Sequence, residues 1–313
     1  MDLSIVIPVY NEEENVESLL KEVDDVVSTL NLKTEILFIN DGSRDRTYEC
    51  LENLFLKYPR LKVINFRRNF GQTSAMVAGF DHALGDIIVA MDGDGQNNPA
   101  DIPKLISKIH EGFDIVSGWR KNRQDKFITR RIPSMIANKI ISKATGVSLH
   151  DYGCSLKAFK KEVIKNTNLY GEMHRFIPAV ASWMGVKLAE IEVNHRARTR
   201  GVSKYGLSRT IRVVLDLITV KFLLSFSTKP IQVFGLWGLS SMFLGCILFF
   251  WVAFEKYVLA VSANRPLFTV SILLLLSGLQ FICLGLMAEI QIRIYHESTS
   301  KPIYTVKNIL EHS

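Results

Sequence analysis

The stretch Ile87-Ile-Val-Ala-Met-Asp-Gly-Asp-Gly-Gln96 decides the fold, because an apolar run ends abruptly in two carboxylates that are separated by one residue. A short run of apolar, β-branched residues predicts a buried strand. In extended backbone Asp92 and Asp94 face the same way, and open α/β sheets bind ligands at the C-terminal ends of their strands. Two hard oxygen donors on one side suit Mg²⁺ or Mn²⁺. The alternative is an ordinary Asp-Gly turn after a strand.

Short apolar strands alternate with amphipathic helices around this stretch. Strands are predicted over 3–9, 35–40, 61–66, 86–91, 114–119 and 187–195, and helices over 12–30, 71–84 and 99–111. This alternation predicts an α/β fold with a mostly parallel sheet that is covered by helices on both faces. Tyr10 and Asp41 follow the first two strands, so we expect them at the same edge of the sheet as Asp92 and Asp94. The shared edge favours a ligand site over a simple turn.

The C-terminal third predicts a membrane anchor. Two uncharged apolar stretches, 230–254 and 266–288, each exceed the ~20 residues that cross a bilayer core. An amphipathic stretch before them predicts a helix at the membrane surface. Basic residues flank the pair on both sides, which predicts cytoplasmic ends. The predicted domains are a catalytic domain (1–207) with an acceptor-binding insert (120–150), an interface helix (208–228), a two-helix transmembrane hairpin (229–290) and a cytoplasmic tail (291–313).

The charge balance predicts an anionic partner. The net charge is +7 with a sequence pI near 9.1, which fits nucleic acid, anionic lipid or a phosphorylated substrate. The basic residues flank the predicted membrane segments and form no aromatic-interleaved face, so no nucleic-acid partner is expected. A Gly-x-Gly-x-x-Gly after the first strand and a Walker-type loop are both missing from the sequence, which excludes the usual dinucleotide and P-loop sites.

Five motifs, taken in order, resemble one enzyme family. They are Ser4-Ile-Val-Ile-Pro-Val-Tyr-Asn-Glu12, Asn40-Asp-Gly-Ser43, Arg68-Asn-Phe-Gly71, Met91-Asp-Gly-Asp-Gly-Gln96 and Arg198-x-x-Gly201-x-Ser-Lys204. Over nearly the whole chain they resemble the inverting nucleotide-sugar glycosyltransferases of the GT-A fold. More narrowly, the chain is similar to polyprenyl-phosphate glycosyltransferases such as dolichol-phosphate mannose synthases. Asp151-Tyr-Gly-Cys154 looks most like the undecaprenyl-phosphate aminoarabinose-type transferases, which use a UDP-linked donor.

The resemblance implies a role for each matching residue. Residues that hold the nucleotide sugar are Pro8, Tyr10, Glu12, Asp41, Asp92 and Gln96, with Arg198 and Lys204 on a loop that closes over the diphosphate. Residues that bind the metal ion, Mg²⁺ or Mn²⁺, are Asp92, Asp94 and Gln96. Residues that bind the acceptor phosphate are Arg120, Arg130, Arg131 and Ser134. Asp151 would act as a catalytic residue that orients the acceptor or takes a proton.

The implied activity is inverting transfer of a sugar from a nucleotide diphosphate sugar, with UDP favoured over GDP, to undecaprenyl phosphate at the cytoplasmic face of the membrane. One departure is that the family commonly has Asp-Ala-Asp-Leu-Gln where this chain has Gly93 and Gly95. The alternatives are another lipid acceptor or a non-catalytic membrane assembly protein on the same fold. Small residues in the predicted spans permit close helix packing, so a homotetramer is also expected.

Overall fold

The structure is a computed structural model of the 313-residue chain. It describes residues 1–121, 142, 146–167, 169, 173–196, 230–258, 265–298 and 304–312. The chain forms two compact units, one comprising Met1–Lys221 with Pro302–Ser313 and the other comprising Phe222–Lys301. Most of the predicted acceptor-binding insert and all of the predicted interface helix lie outside the described residues.

Strand and helix alternate through the first unit, as the apolar periodicity predicts. The strands are β1 Leu3–Val9, β2 Thr34–Asn40, β3 Leu61–Phe66, β4 Ile87–Ala90, β5 Ile115–Trp119, β6 Lys157–Lys160, β7 Leu188–Glu192 and β8 Val306–Leu310. The helices are α1 Val16–Ser28, α2 Thr47–Phe55, α3 Gln72–His82, α4 Ile102–His110, α5 Lys161–Lys165 and α6 Ile177–Ala181. Short 3₁₀ turns occupy Pro99–Asp101, Met173–Phe176 and Ser182–Met184.

The strands join one sheet in the order β7-β5-β6-β4-β1-β2-β3-β8. The central strands β4, β1, β2 and β3 are parallel, as are β5 and β7. β6 and β8 run antiparallel to their neighbours. The sheet is therefore mixed but mostly parallel, which confirms the predicted fold class. Because the central strands are parallel, their C-terminal ends lie at one edge.

Burial on both faces explains the apolar runs of the central strands. Leu3, Ile5 and Ile7 of β1 point into a core that they share with α1, α2 and α4. Val6, on the opposite face of β1, is fully buried as well, and α3 packs against β1 and β2. A strand that is buried on both sides reads as a continuous hydrophobic run, which is typical of parallel sheets with helices on each face.

β6 separates β4 from β5 and brings a later part of the chain to the site. In the antiparallel pairing Lys157 lies opposite Ala90, two residues before Asp92. The segment that leads into β6 therefore runs beside the end of β4. Sequence spacing does not reveal this insertion, because a short antiparallel strand has the same local pattern as a parallel one.

The C-terminal end of the chain contributes a strand to the sheet, which the sequence does not predict. Val306–Leu310 forms β8, which pairs with β3 at the edge of the sheet. Tyr304 anchors it: the Tyr304 ring stacks on Phe66 with 5.3 Å between centroids, and its hydroxyl donates to Asp81 Oδ2 at 3.0 Å. The period-two pattern over only five residues is too short to stand out in the sequence.

The second unit contains two long helices, α7 Pro230–Tyr257 and α8 Arg265–Ser298. Ser241 Oγ on α7 donates to the Leu274 carbonyl on α8 at 2.8 Å. Within them, Phe234–Tyr257 and Pro266–Met287 are long and apolar enough to cross a membrane. Large apolar side chains are exposed, including Trp237 and Phe250 at 68% and 69%. Exposed apolar surface on this scale fits contact with lipid rather than with water.

Candidate active site

A cleft of about 200 Å³ opens at the C-terminal edge of the central strands. Predicted site residues that line it are Pro8, Tyr10, Glu12, Asp41, Asp92 and Asp94. They come from the ends of β1, β2 and β4, which are neighbours in the sheet. The structure thus brings together six residues that the sequence places at one edge, and the Asp-Gly-Asp stretch is part of a cleft.

Asp41 holds the loop on the far side of the cleft. Its Oδ1 accepts from the Phe70 backbone N–H at 2.7 Å, and its Oδ2 accepts from the Gly71 N–H at 3.0 Å and from Asn69 Nδ2 at 2.9 Å. Burial raises the pKa of Asp41 to about 6, although the hydrogen bonds from Phe70 and Gly71 act in the opposite direction. Asp41 therefore shapes the cleft wall, and its contact with a base or ribose stays a prediction.

Asp92 and Asp94 present two carboxylates to the same cleft. Gln72 Nε2 donates to Asp92 Oδ1 at 2.7 Å. Burial, followed by the negative charge of Asp94, raises the pKa of Asp92, while a Ser155 hydrogen bond and the charge of Arg120 lower it. A divalent cation would offset the negative charge of two carboxylates that face the same cleft.

The donor set fits a metal that is only partly coordinated by protein. Among the described residues, no cluster of three or more His, Cys, Asp or Glu side chains could hold a metal ion. Asp92 and Asp94 would then supply two oxygens, and substrate phosphate oxygens and water would complete the coordination. Gln96 as a third metal-binding residue stays a prediction. This arrangement is the usual one for Mg²⁺ in phosphate-transferring sites.

The two glycines of the motif have separate structural reasons. A Cβ atom on Gly93 would lie 2.5 Å from Val9 Cγ1 and 3.0 Å from the Pro8 carbonyl oxygen, so Gly93 lets the motif pack on the end of β1. Gly95 has φ of 71°, in the left-handed region that glycine adopts without strain. In this chain Gly93 therefore makes room for Val9, and Gly95 allows the left-handed turn.

Gln96 lies where a later segment returns to the site. Its backbone N–H donates to Asp94 Oδ1 at 3.2 Å, and its carbonyl accepts from the Arg196 N–H at 2.9 Å. The next residue, Asn97, forms a bridge with His195. The segment that continues to Arg198 and Lys204 therefore starts beside the carboxylates, although Arg198 and Lys204 themselves lie outside the described residues.

Arg120 and Asp151, which the sequence assigns to separate roles, are partners. Arg120 Nε donates to Asp151 Oδ2 at 2.7 Å, and Nη2 donates to Oδ1 at 3.0 Å. Their side chains are 13% and 3% exposed. Burial opposes the charge of Arg120, but the hydrogen bonds and charge of Asp151 outweigh it and hold the pKa of Arg120 above its ordinary value. The roles of Arg120 with the acceptor and of Asp151 as a base stay predictions, as do those of Arg130, Arg131 and Ser134, which lie outside the described residues.

Sequence reasoning missed several side chains at the site. Asn69 and Gln72 line the cleft, and their position after the third parallel strand was the available signal. Lys157 is 3% exposed, donates to the Cys154 carbonyl and acts electrostatically on Asp92. Burial lowers the pKa of Lys157. A lysine in an apolar run, as in Leu156-Lys-Ala-Phe159, was its signal in the sequence.

Comparisons with known proteins agree with this geometry. Residues 4–167 match the model of glycosyl transferase family 2. The chain is 41% identical over 321 residues to a dodecaprenyl-phosphate galacturonate synthase of Rhizobium johnstonii, covering 99% of this chain and 94% of the relative. It is 37% identical over 320 residues to an undecaprenyl-phosphate 4-deoxy-4-formamido-L-arabinose transferase of Shewanella sediminis, covering 98% and 92%.

Solved structures show the same fold at lower identity. A glucosyl-3-phosphoglycerate synthase from Mycobacterium tuberculosis, in complex with Mn²⁺ and UDP-glucose, aligns with a TM-score of 0.54 and 18% identity over 71% of this chain and 78% of that one. The predicted GT-A fold and the resemblance to polyprenyl-phosphate glycosyltransferases are both confirmed. The chain belongs to glycosyl transferase family 2 and is a glycosyltransferase.

Proposed function

We propose that this enzyme transfers a sugar from a UDP-sugar to the phosphate of a polyprenyl phosphate, with inversion, at the cytoplasmic face of a membrane. The observation that carries the proposal is the cleft in which Asp92 and Asp94 share one sheet edge with Tyr10 and Asp41. The names of the full-length relatives, a dodecaprenyl-phosphate galacturonate synthase and an undecaprenyl-phosphate aminoarabinose-type transferase, support the acceptor class.

The nucleotide would lie in the part of the cleft formed by β1 and β2. Tyr10 offers an aromatic face, and Glu12 and Asp41 offer carboxylates within the same lining. Hydrogen bonds between Asp41 and the Asn69–Gly71 loop join two segments of this lining. UDP is favoured over GDP because the Asp151-Tyr-Gly-Cys154 stretch resembles the aminoarabinose-type transferases.

The diphosphate would lie next to Asp92 and Asp94. A Mg²⁺ or Mn²⁺ ion between these carboxylates and the donor would neutralise the charge that develops on the leaving diphosphate. Gln72 orients Asp92 through the 2.7 Å hydrogen bond to Oδ1. Arg198 and Lys204, on the segment that starts beside Gln96, would add positive charge over the same phosphates.

The acceptor needs positioning more than it needs a base. A phosphate monoester has a second pKa of ~6 and is mostly dianionic near neutral pH, so its oxygen can attack the anomeric carbon directly. Arg120, Arg130, Arg131 and Ser134 would hold this anion against the anionic donor. Asp151 binds Arg120 through two hydrogen bonds, so its contribution would be to aim the guanidinium, with proton transfer as the second possibility.

A lipid acceptor would account for the two long apolar helices, α7 and α8. A polyprenyl chain stays in the bilayer, so an enzyme that uses it gains from being anchored there. α7 and α8 contain segments that are long and apolar enough to cross a membrane. The proposed topology places the catalytic unit and both termini in the cytoplasm, because basic residues flank the pair of helices.

A donor panel tests the proposal. The full-length protein in detergent is incubated with Mn²⁺, undecaprenyl phosphate and one radiolabelled donor at a time: UDP-galacturonic acid, UDP-4-deoxy-4-formamido-L-arabinose, UDP-glucose or GDP-mannose. We expect label in the lipid phase with a UDP-sugar and none without undecaprenyl phosphate. Transfer from GDP-mannose alone would contradict the UDP assignment. No transfer from any donor would favour the membrane assembly alternative.

A further inference from the structure

Three asparagines form a hydrogen-bonded line across neighbouring strands. Asn40 of β2 lies opposite Asn65 of β3, and Asn65 lies opposite Asn308 of β8. Asn40 Nδ2 donates to Asn65 Oδ1 at 2.9 Å, and Asn65 Nδ2 donates to Asn308 Oδ1 at 3.0 Å. Asn40 and Asn65 are only 1% and 5% exposed. We call Asn40, Asn65 and Asn308 the asparagine ladder.

The inner end of the ladder reaches the rim of the cleft. Asn40 Oδ1 accepts from both the backbone N–H and the hydroxyl of Ser43. Ser43 Oγ in turn accepts from the Asn11 backbone N–H at 2.9 Å. Asn11 stands between the cleft residues Tyr10 and Glu12 and has φ of 52°, in the left-handed region. The ladder is therefore linked through Ser43 to Asn11. The backbone conformation of Asn11 determines where the chain places Tyr10 and Glu12.

The outer end of the ladder is held by α2. Asn308 Nδ2 donates to the Tyr48 hydroxyl at 2.6 Å, and that hydroxyl donates to Glu52 Oε1 at 3.4 Å. The line has one direction because the Ser43 backbone N–H can only donate. This fixes the oxygen of Asn40 towards Ser43 and its amide nitrogen towards Asn65. Hydrogen bonds aligned head to tail strengthen one another, so a break at one end weakens the rest.

Asparagine at these positions is less favourable for strand stability than an apolar residue would be. Asparagine is depleted in strands, where β-branched residues fit better, and a buried amide must make its hydrogen bonds to be tolerated. β8 is already attached to the sheet through the Tyr304 stack on Phe66 and through its backbone pairing with β3. Three amides in register therefore do more than attach the strand.

We propose that Asn308, in the strand that follows the apolar helices, is a positioning residue for the nucleotide: through Asn65, Asn40 and Ser43 it holds the Tyr10–Glu12 turn in its binding conformation. The inference rests on the proposed nucleotide site in the cleft. It gives the C-terminal strand a function in donor binding, in addition to its place at the sheet edge.

The test is UDP binding by calorimetry with Mn²⁺ on the full-length protein in detergent, combined with donor KM and kcat. Asn308→Ala removes the acceptor of Asn65 and the donor to Tyr48. If positioning by the ladder contributes about as much free energy as one net hydrogen bond, Asn308→Ala should bind UDP about fivefold more weakly. Donor KM should rise by a similar factor, and kcat should not change. Asn308→Asp keeps an acceptor for both Asn65 and the Tyr48 hydroxyl and should retain wild-type affinity. Tyr48→Phe, which removes the outer anchor without altering β8, should weaken UDP binding less than Asn308→Ala.

Glu311→Gln is the matched control. It breaks the 2.8 Å ion pair of Glu311 with Lys62, which also joins the C-terminal end to β3 but lies outside the ladder, and it should leave UDP affinity unchanged. Wild-type affinity in Asn308→Ala, or equal weakening in Glu311→Gln, would overturn the inference while leaving the nucleotide site intact. Absence of UDP binding by the wild-type protein would overturn the proposed nucleotide site and this inference together.

Discussion

The two sides of the cleft are built with different chemistry. On the β4 side, Asp92, Asp94, Arg120, Asp151 and Lys157 are charged groups at close quarters, and burial together with neighbouring charge shifts the pKa of Asp92, Arg120 and Lys157. On the β2 and β3 side, a line of three neutral amides in register connects the strands towards the cleft. The charged side is suited to stabilising charge that changes during a reaction, and the neutral side to holding a shape that does not change.

The difference predicts different phenotypes. Substitutions on the charged side should act mainly on kcat or on the dependence on divalent cation, because those groups would interact with the reacting phosphates. Substitutions on the neutral side, such as Asn308→Ala, should act mainly on donor binding. A charged-side variant that changes only donor binding, or a neutral-side variant that changes only kcat, would contradict this division.

The largest effect is expected at Asp92 and Asp94. Asp94→Asn halves the charge of the carboxylate pair and should lower kcat by about 100-fold or more, the scale of removing one electrostatic contact to a transition state. Initial rates of lipid-phase product at saturating donor measure it. Asp24→Asn, which affects a surface pair with Arg60 at 2.9 Å, is the control. A fall of less than about threefold in Asp94→Asn would place charge stabilisation elsewhere.

The Arg120–Asp151 pair should show a large loss of stability. Asp151→Asn leaves a mostly buried guanidinium without its counter-charge, which costs about 3–5 kcal/mol when a buried pair is broken. Unfolding midpoints, together with acceptor KM, measure the effect. A positioning role predicts a lower midpoint and a higher acceptor KM. Both roles predict the lower midpoint, because the buried pair is lost in either case. A base role also predicts a loss of kcat that shrinks as pH rises, and that result would assign proton transfer to Asp151.

Gly93 should show a moderate effect that a second substitution relieves. Gly93→Ala places a Cβ 2.5 Å from Val9 Cγ1, and overpacking of this kind costs about 1–3 kcal/mol. Val9→Ala removes the contacting atom, so Gly93→Ala combined with Val9→Ala should recover part of the lost stability and activity. Both are read from unfolding midpoints and initial rates. If the changes in midpoint of Gly93→Ala and Val9→Ala simply add in the double variant, contact with Val9 is not the reason for glycine at position 93.

The last effect is a pH dependence of stability caused by Asp41, which is confined to one range of pH. Its folded pKa of about 6 is above its ordinary value of 3.8, so the folded state binds this proton more tightly than the unfolded state does. Stability from this group is therefore present at low pH and is lost as pH rises from about 4 to about 6. Asp41→Asn should flatten this part of the profile of unfolding midpoint against pH. A profile identical to that of the wild type would exclude Asp41 as the cause.

The sequence alone predicts those parts of the site that follow directly from the ends of parallel strands. Strand ends carry Tyr10, Asp41 and Asp92, and parallel alternation alone places them at one edge. The order of the strands is a long-range property, so neither the antiparallel β6 nor the edge strand β8 could be read from local periodicity. For the same reason the pairing of Arg120 with Asp151 was missed, since the two residues are 31 positions apart in sequence.

The reasons for Gly93 and Gly95 depend on the three-dimensional structure around them. From the sequence, Gly93 and Gly95 are an unexplained departure from the family pattern. In the structure, one avoids Val9 and the other adopts a left-handed backbone, and neither reason can be inferred without the neighbouring strand and the dihedral angle. The asparagine ladder is similar, because its members are isolated polar residues in three separate apolar strands until the register is known.

The most direct test of the central claim is the dependence of transfer on divalent cation. The full-length protein is incubated with undecaprenyl phosphate and the labelled UDP-sugar that the donor panel identifies, before and after removal of metal with EDTA, and then with Mg²⁺ or Mn²⁺ restored. We expect labelled lipid with metal, loss of product with EDTA and recovery when metal is added back, with little product from Asp94→Asn at any metal concentration. Equal transfer in EDTA would contradict the assignment of Asp92 and Asp94 as the metal site.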